Sequence, residues 1–146
     1  MTFLRFQVAE QAYAIDIRGV FEVVRMGEIT SVPNTAGFMK GVIRLRGRVI
    51  PLVGLRERFG LTETDPGASS RIIICRFQGM VVGIVVDSVD NVVSLSEKEI
   101  EPPGDLMEEA RYLYGIGRLG EGVILIVELE KLLSRDEEVV LSRAGA

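Results

Sequence analysis

The feature that most constrains this chain is that it repeats itself. Gly41, Arg44, Leu45, Val49, Ile50, Val53 and Leu55 recur, each shifted by 74 residues, as Gly115, Arg118, Leu119, Val123, Ile124, Val127 and Leu129. Upstream, Ile15, Val20, Val23 and Val24 recur at a shift of 69 as Ile84, Val89, Val92 and Val93, and Phe6-Gln7 is echoed by Phe77-Gln78. A constant ungapped offset over one hairpin predicts two similar all-β units. The approximate halves are residues 1–66 and 67–146, between which strands can be exchanged. Units of roughly 70 residues hold too little interior to be stable alone, so the two should bury apolar surface against each other as a single domain. Their junction is a natural place for a groove.

The local patterns agree with strands. Val and Ile dominate short runs cut by turn residues. Residues 71–77 and 80–86 flank Gln78-Gly79 as the clearest hairpin. Residues 3–8 and 12–17 flank Ala9-Glu10-Gln11; residues 41–45 and 49–55 flank Arg46-Gly47-Arg48; residues 115–119 and 123–129 flank Gly120-Glu121-Gly122. Pro51 cannot donate to a ladder and should mark an edge or a bulge. Helical signals are few. Ile17, Val20, Phe21 and Val24 are spaced for one face of a short helix capped by Asp16. Residues 55–59 suit one turn stopped by Gly60, and residues 128–141 suit a C-terminal helix with Leu129, Leu132, Leu133 and Val140 as its stripe. Residues 62–70 read as a linker.

Composition removes whole classes of chemistry. There is no histidine, so the commonest general base and metal ligand is missing and a Ser-His-Asp triad is ruled out. Cys75 is the single cysteine, which excludes an intramolecular disulfide and a cysteine-based zinc site. It lies in the apolar run 72–75 and reads as a packing residue in a reducing compartment. Gly115-Ile116-Gly117-Arg118-Leu119-Gly120 matches G-x-G-x-x-G, but a β-branched run follows it instead of a helix, so its glycines read as turn and bulge positions. The acidic stretch 97–109 reads as a solvated loop. A net charge of −4 and 6% aromatics argue against nucleic-acid binding. No apolar run approaches the ~20 residues of a membrane span. No catalytic residue, metal site or cofactor is expected.

The informative polar feature is basic. Arg44, Arg46 and Arg48 alternate with apolar residues, and period two places all three on one face. Their counterparts in the second copy are Arg118, Gly120 and Gly122, so two of the three charges occur in one copy only. A packing role would be expected in both copies. Guanidinium groups suit carboxylate contact and interface cores, so the patch reads as a partner-binding surface.

Several segments together resemble the CheW family. They are Phe3 to Phe6, Tyr13-Ala14-Ile15-Asp16-Ile17 with Val20-Phe21-Glu22-Val23, and Val32-Pro33-Asn34. Phe38-Met39-Lys40-Gly41-Val42-Ile43-Arg44-Leu45-Arg46-Gly47-Arg48-Val49-Ile50-Pro51 resembles the family's central signature. Val82-Gly83-Ile84-Val85-Val86-Asp87-Ser88-Val89, Ile100-Glu101-Pro102-Pro103, Tyr112-Leu113-Tyr114-Gly115 and Glu130-Lys131-Leu132-Leu133 continue it in order. The resemblance implies two pseudo-repeated SH3-like, five-stranded β-barrel subdomains around a shared hydrophobic core, with a few short helices and a C-terminal helix. It implies a non-catalytic cytoplasmic adaptor, held at membrane receptor arrays through its partners. Those partners are the signalling tip of methyl-accepting chemotaxis receptors and the regulatory domain of the histidine kinase CheA. Receptor-contact positions fall on Ile17, Val20, Glu22, Gly41, Arg46, Val89 and Val92, with Gly41 permitting close backbone approach, and a kinase contact falls near Glu101 and Leu106. The chain departs from the family pattern at Arg44, where Asn is usual, and at Gly54, where Asp is frequent. It also carries Glu101 where some members have a base.

The competing readings are a coupling protein of a non-flagellar chemosensory-like pathway, a small ligand-binding barrel using the acidic stretch, and a nucleic-acid-binding barrel using the three arginines.

Overall fold

The apolar runs of this chain do not alternate with polar residues, because most strands are buried on both faces. In β6 (Arg71–Phe77), Ile72 and Ile74 enter one apolar cluster while Ile73 and Cys75 enter another. In β11 (Gly122–Val127), Ile124 and Ile126 point one way and Leu125 and Val127 the other. The result is three apolar layers with a sheet on either side of the middle one. The computed structural model describes residues 1–27, 29, 30, 37–105, 108–134 and 137.

The remaining strands are β1 (Thr2–Val8), β2 (Gln11–Asp16), β3 (Val20–Arg25), β4 (Met39–Leu45), β5 (Arg48–Gly54), β7 (Met80–Val86), β8 (Ser88–Ser94), β9 (Ile100–Glu101) and β10 (Leu113–Leu119). One sheet has the order β8-β1-β2-β11-β10-β9 and the other β3-β6-β7-β5-β4. Thr30 adds an isolated bridge to Val42 outside β4, in the place that β9 takes beside β10. Shifting β1–β5 along the repeat therefore generates the second sheet's architecture from the first. The hairpin β1–β2 lies in the sheet of the second half, and β6–β7 lies in the sheet of the first. Each swap is sealed by a parallel ladder, Tyr13 beside Leu125 and Gly83 beside Leu52.

The layer between the sheets holds Leu4, Phe6, Tyr13, Ile73, Ile84 and Leu125 among others, so neither half owns it. Phe6, Tyr13, Phe59 and Tyr112 form a chain of ring contacts through it. Each sheet also curls around a cluster of its own: Phe3, Ala14, Leu95, Ile124 and Ile126 in the first, Ile43, Ile50, Leu52, Ile72 and Ile74 in the second. In the first sheet Leu95, just past β8, reaches β10 closely enough that a Cβ at Gly117 would lie 2.7 Å from its Cδ1.

Four expectations need correction. Residues 17–24 are not a helix. Asp16 caps a single 3₁₀ turn, Ile17–Gly19, and the chain then extends into β3, where β-branched Val20, Val23 and Val24 fit a pleated edge better than a helix. Pro51 lies in β5, between β4 and β7, and not at an edge. The β7 ladder begins one residue later, at Leu52, so the missing N–H breaks no pair there. The Phe6-Gln7 echo is out of register: the ladders align Phe3 opposite Asp16 with Ile72 opposite Val85, which equates Phe6 with Cys75 and Gln7 with Arg76. Of the helix expected over 128–141, the described residues give a 3₁₀ turn at Leu129–Lys131, a non-helical stretch at 132–134 and a helical Glu137, while residues 135, 136 and 138–141 lie outside the described residues. The turn at residues 55–59 is present as α1 (Leu55–Arg58), followed by Gly60 at φ +74°.

Candidate partner-binding groove between two edge strands

β3 ends one sheet and β8 ends the other, and the two occupy the same place in the repeat. Residues directly opposed across an antiparallel pair share a face. Val20 lies opposite Cys75 and Val23 opposite Ile73, both members of the central layer. Val89 lies opposite Phe6 and Val92 opposite Leu4, again central-layer residues. The four valines therefore project from two edge strands toward the seam between the sheets. Val20, Val89 and Ile17 are half-buried against the central layer. Val23 and Val92 extend past it and are 38% and 51% exposed. A register shift interrupts both edges, between Val20 and Glu22 and across from Val89–Val92, between Leu4 and Phe6. Such bulges twist an edge and re-aim its side chains. Val23 was not among the expected binding positions, although the 69-residue offset that links it to Val92 was visible in the sequence.

Glu22 points the other way. It lies opposite Ile74, on the face of the second sheet's own cluster, and there it receives both guanidinium nitrogens of Arg46, one of them at 3.0 Å. Arg46 is the first residue of a two-residue turn, at φ +51°, with Gly47 at φ +78°. β4 and β3 are opposite ends of their sheet, so the Glu22–Arg46 pair joins the two edges and closes the curl. The Glu22 hydrogen bonds hold the Arg46 guanidinium above its ordinary pKa, and its side chain is 69% exposed.

The arginines are not arranged as the period-two reading has it. Because the turn holds two residues, Leu45 pairs with Arg48 and Arg44 with Val49. Arg48 thus shares a face with Leu45, and Arg44 lies on the opposite one. All three are exposed, but they surround a hairpin tip instead of covering one face. Arg46 is also not a free cation, since Glu22 holds it.

Gly41 is buried, and its own chain covers it. A Cβ there would lie 2.4 Å from the carbonyl oxygen of Thr30, and φ is +140°. Its repeat partner Gly115 would meet the Glu101 carbonyl oxygen at 2.8 Å. Both glycines follow a bulge and admit a neighbouring strand. The close approach expected of a partner at Gly41 is therefore made by residues 29–30. At Gly54, a Cβ would fall 1.7 Å from Glu57 Oε2. The Glu57 carboxylate occupies that space and accepts from Lys40 Nζ at 3.3 Å. Glu101 is exposed on β9, 3.8 Å from Arg118, while Leu106 lies outside the described residues.

The acidic stretch and the cysteine lie in unlike surroundings. Glu97 and Glu99 sit in a 3₁₀ turn closed by a capping box with Ser96, which holds the Glu99 carboxyl below its usual range through the Ser96 backbone and hydroxyl. Cys75 is fully buried, and desolvation pushes its thiol up to about 12. Among the described residues no cluster of acids and cysteine could hold a metal ion, and no helix is long and apolar enough to cross a membrane.

Residues 2–137 match the family described as the CheW-like domain. The chain belongs to the CheW family. The chemotaxis protein CheW of Klebsiella aerogenes is 38% identical over 145 residues, covering 98% of this chain and 87% of that one. The CheW of Helicobacter pylori is 30% identical over 137 residues, covering 93% and 83%. Among solved structures, the scaffolding protein TtCheW of Thermoanaerobacter tengcongensis superposes with a TM-score of 0.86 at 35% identity, over 93% of this chain and 89% of that one. CheW membership makes this chain a coupling adaptor of a chemotaxis system, and its two sheets are those of the CheW scaffold.

Proposed function

We propose that this CheW-family chain joins the cytoplasmic signalling tip of a methyl-accepting chemotaxis receptor to the regulatory domain of the histidine kinase CheA, without catalysing a reaction. The observation that carries this reading is the paired exposure of Val23 and Val92 on equivalent edge strands, with Val20, Val89 and Ile17 beneath them. An apolar trough flanked by two strands suits a helix laid along it, recognised through residues one turn apart. A receptor tip of helical-hairpin form supplies such a surface. Glu22 and Arg46 add a charged pair on the face of β3 turned away from its valines, from which either group can exchange its partner for one on a receptor that reaches around the edge. Gly41 supports the site from behind, by seating residues 29–30 against β4.

The kinase contact is assigned to Glu101, at the far end of the other sheet, and to Leu106, five positions on in the sequence. The adaptor works in the cytoplasm and reaches the membrane through its partners. Weak contacts of this kind gain strength from array avidity. Val23→Asp and Val92→Asp test the groove. Completing the burial of a half-exposed valine is worth about 1 kcal/mol. Placing a carboxylate there adds a desolvation cost, so each variant should lose at least about tenfold in receptor-tip affinity. Val123→Asp, at a 52% exposed valine on another surface, is the control. Unchanged binding by both groove variants would reject the site.

A further inference from the structure

We propose that a cleft of about 550 Å³ at one end of the first sheet binds an extended peptide segment of a partner protein, one that carries a basic residue followed by an apolar anchor. The cleft does not belong to the valine groove. Its floor includes Phe3 and Ile126, which lie on the face away from the central layer, and its walls include Met1 and Tyr114, 46% and 45% exposed.

The argument comes from the repeat. The equivalent position on the other sheet is also a depression, but the chain's own linker fills it and leaves about 30 Å³. At an offset of 74, Tyr114, Glu128 and Glu130 of the cleft replace Lys40, Gly54 and Arg56 of the filled site. At an offset of 69, Asp16, Arg18 and Met1 replace Val85, Asp87 and Ser70. The linker is held in three ways. Leu61 packs on the central layer, Arg56 Nη1 donates to the Thr62 carbonyl at 3.1 Å, and Lys40 Nζ donates to Glu63 at 2.9 Å. Arg56 also bridges both oxygens of Asp87, at 3.1 and 2.7 Å, which closes the site.

In the cleft that closing pair is reversed in sign and not made. Arg18 turns to Asp16, at 3.0 and 2.7 Å, and Glu128 receives Lys131 at 3.0 Å. Among the described residues Glu130 has no ion-pair partner, and Arg76 only stacks on the Phe21 ring at 5.4 Å. In the twin site a chain segment without helix or strand fills the equivalent depression, and the substitutions specify which kind of segment would fill this one. Where the linker offers a carbonyl to Arg56, the occupant must offer a donor to Glu130, hence a lysine or arginine. Where Glu63 meets Lys40, it must offer an apolar side chain to Tyr114.

The probe is an acetylated, amidated hexapeptide of linker residues 61–66 (Leu-Thr-Glu-Thr-Asp-Pro) carrying Thr62→Lys and Glu63→Leu, with the unaltered hexapeptide as comparison. Amide resonances of the full ¹⁵N-labelled protein are followed during titration. The proposal expects saturable shifts at Phe3, Arg76, Tyr114 and Glu130, and affinity at least about fivefold above the unaltered peptide. It expects Glu130→Lys to remove that advantage while receptor-tip binding stays unchanged. No saturable shift at millimolar peptide, equal affinity of the two peptides, or shifts centred on Val20 and Val89 would overturn it. Because the readout is peptide binding at this cleft, failure of the receptor assignment leaves the result intact.

Discussion

Gly41→Ala separates a structural glycine from a partner-binding one. The added Cβ would sit 2.4 Å from the Thr30 carbonyl oxygen, 2.8 Å from Ile29 Cγ2 and 3.1 Å from the Thr30 carbonyl carbon. Two of these atoms are backbone and cannot rotate away. The residue would also hold φ at +140°, which costs about 1–3 kcal/mol for a residue with a side chain. Relieving the clash means moving residues 29–30 and breaking the reciprocal bonds between Thr30 and Val42, both 2.9 Å. Each such bond contributes about 1 kcal/mol net. The total is roughly 3–5 kcal/mol. For a chain of this size that lowers Tm by about 10–15 °C. Thermal unfolding followed by circular dichroism, alongside receptor-tip affinity, gives the answer. The account expects a large fall in Tm and, at a temperature where the variant is still folded, a smaller loss of affinity. An unchanged Tm with abolished binding would refute it and return Gly41 to the partner's side of the interface.

Other consequences follow from the same geometry. Burial pushes the Asp87 carboxyl up, but the Arg56 hydrogen bonds, the Ala9 N–H and the Arg56 charge outweigh it and hold the carboxyl below its ordinary value of 3.8. Its stabilising contribution is present above the unfolded value and is lost as pH falls through the lowered one, so Asp87→Asn should shrink the loss of urea stability between neutral and strongly acidic pH. An identical acid dependence in the variant would contradict the sign. Residues 1–66 expressed alone should remain unfolded by circular dichroism, since β3 to β5 need β6 and β7 between them; a cooperative transition in that fragment would argue for separable halves. Cys75, raised to about 12 and fully buried, should react with a thiol reagent in the native protein only as fast as the protein opens, and rapid labelling at neutral pH would show a different environment.

How much could be read from the sequence depended on which interactions were local. The offsets of 69 and 74 survive because equivalent strands keep equivalent apolar positions, and Gly41 and Gly115 keep the same backbone approach. Which sheet each hairpin joins was not legible, because β1–β2 and β6–β7 are each apolar on both faces and fit either sheet. Ile17, Val20, Phe21 and Val24 matched a helical period by coincidence, while the β-branched residues and Gly19 favoured an edge strand. The three arginines were placed on one face by counting residues through Arg46-Gly47, a turn that reverses the chain and so puts Arg44 and Arg48 on opposite sides. Arg46 stands out in the sequence as present in one copy of the repeat only, but its partner Glu22 lies 24 positions away, and only the curl of the sheet brings the two together.

The groove itself is tested most directly by valine-methyl NMR of the full chain titrated with a receptor signalling tip. The account predicts saturable shifts at Val20, Val23, Val89 and Val92, from both edge strands together, with Val123 unmoved. Shifts confined to one edge strand, or centred on Val123 and the β10–β11 turn, would contradict it.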